Sequence, residues 1–339
     1  MKKLGLLILA LLIVGAVMLG SFVWDAYLIA PGPEAQEVEF TIEPGQSVET
    51  IAINLKEADL IKGETPFKLY TKWAKAESAL QAGIFTLQTG MSYSRLVSEL
   101  SRAEAAEVQV TIPEGYTLKQ IGKAVREQLP QITEAEWLAV TGAETPLRAS
   151  ASVLSTLPED QGLEGYLFPD TYRFREDADA ETVAATMLST LKRRLAENEI
   201  VDLNVLFIDD LTWHEVLTLA SIVEKEVRTE ESMKNVADIF LKRLRIGMAL
   251  QADSTVNYLT GGDSPGVSLE DTKIDSPYNT YQRVGLPPGP ISNPGLQAID
   301  AVLKPTENNW YYFLTSEEGE VFYAQTFDQH VINKNKYLR

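Results

Sequence analysis

The chain has 339 residues, 23% charged and 45% hydrophobic, with a formal net charge of -18. That composition is globular and long enough for about two domains, and so acidic a chain is a poor match for a polyanion such as nucleic acid. There is no cysteine, which excludes disulfides, thiolate metal sites, a cysteine nucleophile and an acylated lipoprotein cysteine, and the two histidines, His214 and His330, have no metal-ligand spacing.

In chain order, Lys2 and Lys3 precede an uncharged apolar run from Leu4 to Trp24. At ~1.5 Å rise per residue this run crosses a ~30 Å hydrocarbon layer. The basic N-terminal flank and the acidic residues Asp25, Glu34 and Glu37 beyond it place the N-terminus inside and the remainder outside. A single-pass anchor is therefore expected over residues 1–30, with Trp24 and Tyr27 at the outer interface and a linker over 31–37.

Residues 38–107 alternate strand, turn and helix. Val38 to Ile42 alternates as a strand, Pro44-Gly45 turns, and Val48, Ile51, Ala52 and Leu55 follow a helical period. A strand over Gly83 to Leu87 leads, after Gly90, into a helix through Leu96, Val97 and Leu100. The same order recurs as Val108 to Ile112, Pro113-Glu114-Gly115, and a helix through Leu118, Ile121 and Val125. The turns at Glu43 to Ser47 and Pro113 to Thr117 are weak internal repeats. Each resembles the opening of a LysM glycan-binding module, whose βααβ unit packs N-acetylglucosamine chains.

A loop rich in glycine and aromatics, Gly162 to Tyr172, either offers rings for stacking on sugars or plugs a core. Helices are expected over Ala180 to Ala196, Leu211 to Val227, and from the N-cap Thr229 to the basic cluster Lys242, Arg243 and Arg245 that complements a helix dipole. On the second of these, Val216, Ala220, Val223 and Val227 form a buried stripe. Glu224 falls inside the apolar arc, Lys225 opposite it and Glu226 toward its other edge, so periodicity does not choose between the two glutamates. A carboxyl held against apolar neighbours is a means of making a general acid.

The stretch Leu250 to Tyr258, if extended, puts Gln251, Asp253 and Thr255 on one face. Asp275 to Tyr281 and Gly285 to Gly295 follow as stiff loops rich in proline and glycine, suited to holding side chains around a groove. Trp310 to Leu314 and Val321 to Ala324 form a hairpin around Glu318-Gly319.

These elements together resemble the YceG-like endolytic lytic transglycosylases of bacterial cell walls. The matching strings are Leu219 to Glu226, Phe240 to Gly247, Leu250-Gln251 with Asp253, Thr255 and Tyr258, Tyr278-Asn279-Thr280-Tyr281, and Gly285-Leu286-Pro287-Pro288-Gly289 with Ile291 and Pro294-Gly295. Thr326 to His330 follows the family pattern only loosely. The resemblance implies an α+β protein with an N-terminal transmembrane helix, a LysM-like βααβ subdomain over 38–107 and a mixed α+β catalytic domain over 108–339, its active-site core within 206–300.

It also implies cleavage of the β-1,4 bond between N-acetylmuramic acid and N-acetylglucosamine, with 1,6-anhydro ends and termination of nascent strands. Glu224 would be catalytic, and Gln251, Asp253, Thr255, Tyr258, Asn279 and Tyr281 would bind substrate, with no metal or cofactor. The implied partners are peptidoglycan strands, the plasma membrane and penicillin-binding glycan synthases. Three other readings stay open on the residues: a hydrolytic muramidase pairing Glu224 with Asp253, a Ser221–Lys225 acyl-transfer enzyme, and a non-catalytic wall-binding scaffold.

Overall fold

The computed structural model describes residues 15, 20–32, 35–101, 107–262, 266–316 and 318–338. The expected membrane span lies outside the described residues except at residue 15 and residues 20–24. Among the described residues no helix is long and apolar enough to cross a membrane. The chain is mixed α+β and divides into two compact units, Met1–Glu107 and Val108–Arg339.

The first unit begins with a π-helical turn over Trp24–Leu28. Strand β1 (Glu37–Ile42) is followed by α1 (Val48–Glu57) and α2 (Glu64–Trp73), and β2 (Gly83–Gln88) returns antiparallel to β1, pairing Glu37 with Gln88 and Ile42 with Gly83. Helix α3 (Tyr93–Leu100) closes the unit. Phe40, Ile42, Ile51, Leu55, Phe85, Leu87 and Leu96 form its core in the strand and helix periods expected of them, joined by Phe67 from α2, a helix not expected from the sequence.

The second unit pairs β3 (Glu107–Thr111) with β4 (Thr171–Arg175), with α4 (Leu118–Gln128) and α5 (Glu134–Thr141) between them in sequence. Then come α6 (Ala180–Glu197), α7 (Trp213–Glu226), α8 (Glu230–Arg245), α9 (Asp253–Thr260) and α10 (Leu296–Leu303). The antiparallel hairpin β5 (Tyr312–Thr315) and β6 (Val321–Ala324) precedes α11 (Phe327–Tyr337). Helix α10 packs on both α7 and α8, and Trp137, Tyr166, Trp213 and Phe240 are among the largest side chains of the common core.

The repeated turns have one local device. Gly45, Gly90 and Gly115 all take positive φ, at 83°, 81° and 74°, and two residues later Ser47, Ser92 and Thr117 cap the next helix by accepting from the N–H of Thr50, Arg95 and Gln120. Glycine admits the left-handed residue and the hydroxyl satisfies an end of the helix that has no internal partner.

One local expectation is overturned in space and two are made specific. The segment expected to be extended around Asp253 and Thr255 is helix α9: Gln251 takes φ 49°, which breaks a strand, and left-handed Gly261 ends the helix after Thr260. Gln251, Asp253 and Thr255 therefore do not share one strand face. In the 162–172 loop, Tyr166, Leu167, Phe168 and Tyr172 are buried, so its aromatics plug the core. The basic cluster ending α8 spreads to separate partners: Lys242 pairs with Asp238 at 2.8 Å, Arg245 with Asp209 at 2.7 Å, and buried Arg243 donates to the carbonyls of Tyr311 and Leu250 and lies over the Tyr312 ring.

Candidate active site

Helix α7 begins with a reciprocal cap. Thr212 Oγ1 accepts from the Glu215 N–H, and the Glu215 carboxylate accepts from the Thr212 N–H at 2.8 Å. From Val216 to Val223 every residue is buried, which drives the last turn, and Glu224 with it, against the protein interior. Lys225 is exposed and Glu224 half-buried. The Glu224 Oε2 accepts from the Gly295 N–H at 3.0 Å, a bond that favours the ionised form. Burial and the nearby Glu114 charge work against ionisation, burial most strongly, and the carboxyl is pushed up to about 7.

The loop that delivers Gly295 is fixed to α7 by three side chains. His214 Nε2 lies 2.9 Å from the Pro288 carbonyl, which can only accept, so this nitrogen carries the proton and Nδ1 accepts from the Tyr166 hydroxyl at 3.0 Å. The buried Ser221 hydroxyl accepts from the Ile291 N–H at 3.0 Å and donates to the Thr218 carbonyl at 2.7 Å. Ser292 Oγ donates to the Ser221 carbonyl at 3.2 Å. Gly165 takes φ 87°, and a Cβ there would come within 2.5 Å of Pro290, so the loop rests directly on glycine backbone.

Asn293 joins this loop to the turn before α4. Its backbone N–H and its amide both donate to the Tyr116 carbonyl, its backbone carbonyl accepts from the Gly115 N–H at 2.9 Å, and its side-chain oxygen accepts from the Leu167 N–H at 2.8 Å. The amide also donates to Glu164 Oε1 at 2.8 Å, and Glu164 further accepts from the Leu118 N–H at 3.0 Å and from Tyr258. Burial outweighs these donors and pushes the Glu164 carboxyl up to about 8.

Glu114, Glu164 and Asn293 were not among the residues singled out from the sequence for the site. Their signal is an acid or amide set inside glycine turns, Pro-Glu-Gly, Gly-Leu-Glu-Gly and Asn-Pro-Gly, where a polar side chain has a backbone to organise.

The sequence candidates divide into groups. Asp253 opens α9 and accepts from the Tyr281 hydroxyl, and burial raises its pKa. Tyr258 meets Glu164 and packs on Tyr278 with ring centroids 5.3 Å apart. Thr255 and Asn279 are fully buried. Thr255 exchanges hydrogen bonds with Ala252 and Thr280, while Asn279 donates to the Thr272 and Ile274 carbonyls and accepts from the Tyr281 N–H. They brace this segment from within. Gln251 is exposed at its left-handed position, its N–H donating to the Thr280 carbonyl at 3.1 Å. Among the described residues no hydrogen bond links any of these six to Glu224.

Glu226 also rises to about 7, mainly through burial, so ionisation does not distinguish the two glutamates. What they hold does. Glu226 accepts from the Ser254 N–H at 3.1 Å and thereby caps the N-terminus of α9, with no ion pair to a basic neighbour among the described residues. Glu224 faces the Gly115 and Gly295 backbones: a Cβ on Gly115 would lie 3.6 Å from Glu224 Cγ and 3.3 Å from Lys225 Cδ, so the exposed Lys225 stem reaches the same turn as Glu224 rather than the opposite side, and a Cβ on Gly295 would meet the Glu114 carboxyl. Ser221, buried with its hydroxyl committed at both ends, and Lys225, exposed, do not form a nucleophile pair. His330, on α11, stacks on Tyr312 with centroids 5.5 Å apart.

Residues 40–336 match the model of the YceG-like family. The chain is 33% identical over 338 residues to an endolytic murein transglycosylase of Bacillus subtilis, covering 94% of this chain and 90% of that protein. It is 35% identical over 358 residues to an endolytic murein transglycosylase of Streptococcus pneumoniae, covering 98% of this chain and 64% of that longer protein. Among solved structures, a YceG-like protein of Listeria monocytogenes superposes with a TM-score of 0.59 at 30% identity, covering 88% of this chain and 99% of the other. With a family match spanning most of its length and curated relatives at this identity, the chain belongs to the YceG-like family.

Proposed function

We propose that this protein is an endolytic murein transglycosylase, a lyase that cuts the β-1,4 bond between N-acetylmuramic acid and N-acetylglucosamine and leaves 1,6-anhydro ends. The observation that carries the chemistry is Glu224, a half-buried carboxyl at about 7 with one oxygen held by the Gly295 N–H. Near neutral pH such a group passes between acid and base at little cost.

In the reaction, the Glu224 carboxyl gives its proton to the O4 of the departing N-acetylglucosamine as the C1–O4 bond breaks and positive charge grows at C1. The muramoyl C6 oxygen then bonds to C1 and its proton passes to the Glu224 carboxylate. The acid is restored and no water is consumed. Gln251, Asp253, Tyr258 and Tyr281 are assigned to the sugar-binding surface, with Thr255 and Asn279 holding that segment in shape. The strand–helix–helix–strand order of the first unit supports reading it as LysM-like. The uncharged run ending at Trp24 supports a single-pass plasma-membrane protein with residues 31–339 outside, beside the penicillin-binding synthases whose strands it would terminate.

The test is mass spectrometry of glycan strands digested by the wild type and by Glu224→Gln. Anhydro-muramoyl ends are expected from the wild type, with a loss of about 10²-fold or more in the variant at unchanged melting temperature. Products heavier by one water would overturn the transglycosylase reading, and full activity in the variant would overturn the role of Glu224.

A further inference from the structure

Glu114 is an exposed carboxylate without a hydrogen bond or ion pair among the described residues, although it lies in the turn that Asn293 ties to the Gly295 loop. A Cβ on Gly295 would lie 1.9 Å from Glu114 Oε1 and 2.3 Å from its Cδ, so the carboxylate rests on the glycine backbone. The N–H of that same glycine is bonded to Glu224. Adding the covalent lengths across Gly295 to these two contacts puts the nearest carboxyl oxygens of Glu114 and Glu224 no more than about 8 Å apart.

The arrangement is constructed from both sides. Asn293 bonds the Gly115 N–H with its carbonyl and the Tyr116 carbonyl with its N–H and amide, which fixes the turn carrying Glu114 to the loop carrying Gly295. Gly115 in turn packs on the Glu224 side chain. The charged groups facing Glu224 are Glu114 from this turn and Lys225 from its own helix.

We propose that Glu114 is a positioning residue for the reaction, a second carboxylate that acts across Gly295 to hold the proton on Glu224 until the leaving oxygen takes it. It rests on the reading of Glu224 as the general acid. A negative charge at this distance opposes the ionisation of Glu224. Once Glu224 has given up its proton, the same repulsion favours its return from the C6 hydroxyl.

The experiment measures the pH–rate profile of anhydro-end formation for the full chain and for Glu114→Gln, Glu114→Asp and Gly295→Ala, with Glu224→Gln as reference. Removing the charge lowers the Glu224 pKa, so in Glu114→Gln the alkaline limb moves down by roughly 0.5–1 pH unit. Above neutral pH that lowers the rate about three- to ten-fold. Glu114→Asp, which keeps the charge, leaves the limb close to its wild-type position. Gly295→Ala keeps the N–H on Glu224 but drives the flexible end of Glu114 away, and moves the limb in the same direction. A purely structural role would lower rate or melting temperature without moving the limb. An inactive Glu224→Gln with unmoved limbs in Glu114→Gln and Gly295→Ala overturns the proposal alone, whereas an active Glu224→Gln overturns the reading of Glu224 beneath it.

Discussion

Ser221 stands one helical turn before Glu224, and replacing it with alanine tests how the site is held together. Its hydroxyl is the acceptor for the Ile291 N–H at 3.0 Å, and Ile291 is 2% exposed, so no solvent replaces the lost partner. The other bond, to the Thr218 carbonyl, lies within α7, where that carbonyl retains its helical acceptor role. The loss is therefore mainly one buried unsatisfied donor, about 1–3 kcal/mol. For a domain of this size that lowers the melting temperature by about 2–10 °C.

The Ile291 to Gly295 segment carries the N–H that meets Glu224, so loosening it also lowers the rate; a displacement of ~1 Å is enough for up to ~10²-fold. Thermal melting and anhydro-end formation, measured on one preparation, read both effects. A melting temperature within 1 °C of wild type together with an unchanged rate would refute the reasoning. Complete loss of turnover at unchanged stability would instead point to Ser221 as a chemical group.

Two further outcomes follow from buried charge and backbone strain. The Glu164, Glu224 and Glu226 carboxyls are pushed up to about 8, 7 and 7, so above the ordinary carboxylate range the folded chain holds protons that the unfolded chain has released. Their stabilising contribution is complete below about pH 4.5 and is lost as pH rises through 7 to 8. His214 and His330, both lowered by burial, act in the opposite direction below about pH 6.5, so melting should be compared between pH 6.5 and 8.5. There it falls with pH, and Glu164→Gln flattens the slope; an equally steep slope in that variant would show that Glu164 is not the group titrating. Gln251→Gly relieves a left-handed residue at φ 49° and should leave stability equal or higher by up to about 1 kcal/mol, while KM for glycan strands rises at least about threefold if the Gln251 side chain meets sugar. A clear fall in melting temperature would remove strain as the account of that residue.

Local pattern was enough wherever an element is governed by its own residues. The apolar period of α7, the Thr229 cap of α8 and the alternation of β1 and β2 are legible because burial repeats every 3.6 or 2 residues. Residues 250–258 misread because alternating polarity resembles a strand. What makes them helical is distant or conformational: the Glu226 carboxylate capping Ser254, Thr280 bonding the Gln251 and Ala252 N–H groups, and left-handed Gln251.

The amino-acid sequence by itself determined the α+β character, the acidic helix and, through its ordered motifs, the YceG-like resemblance, because these depend on short-range periodicity and on residue order. It left Glu224 and Glu226 equivalent by position, and burial leaves them alike as well. Only the tertiary structure gave them different surroundings, setting Glu226 on the end of α9 and Glu224 against Gly295 with Glu114 alongside. The reason is physical: a carboxyl's burial and charged neighbours come from segments more than a hundred residues apart in the chain, and no local period records which of those segments will meet.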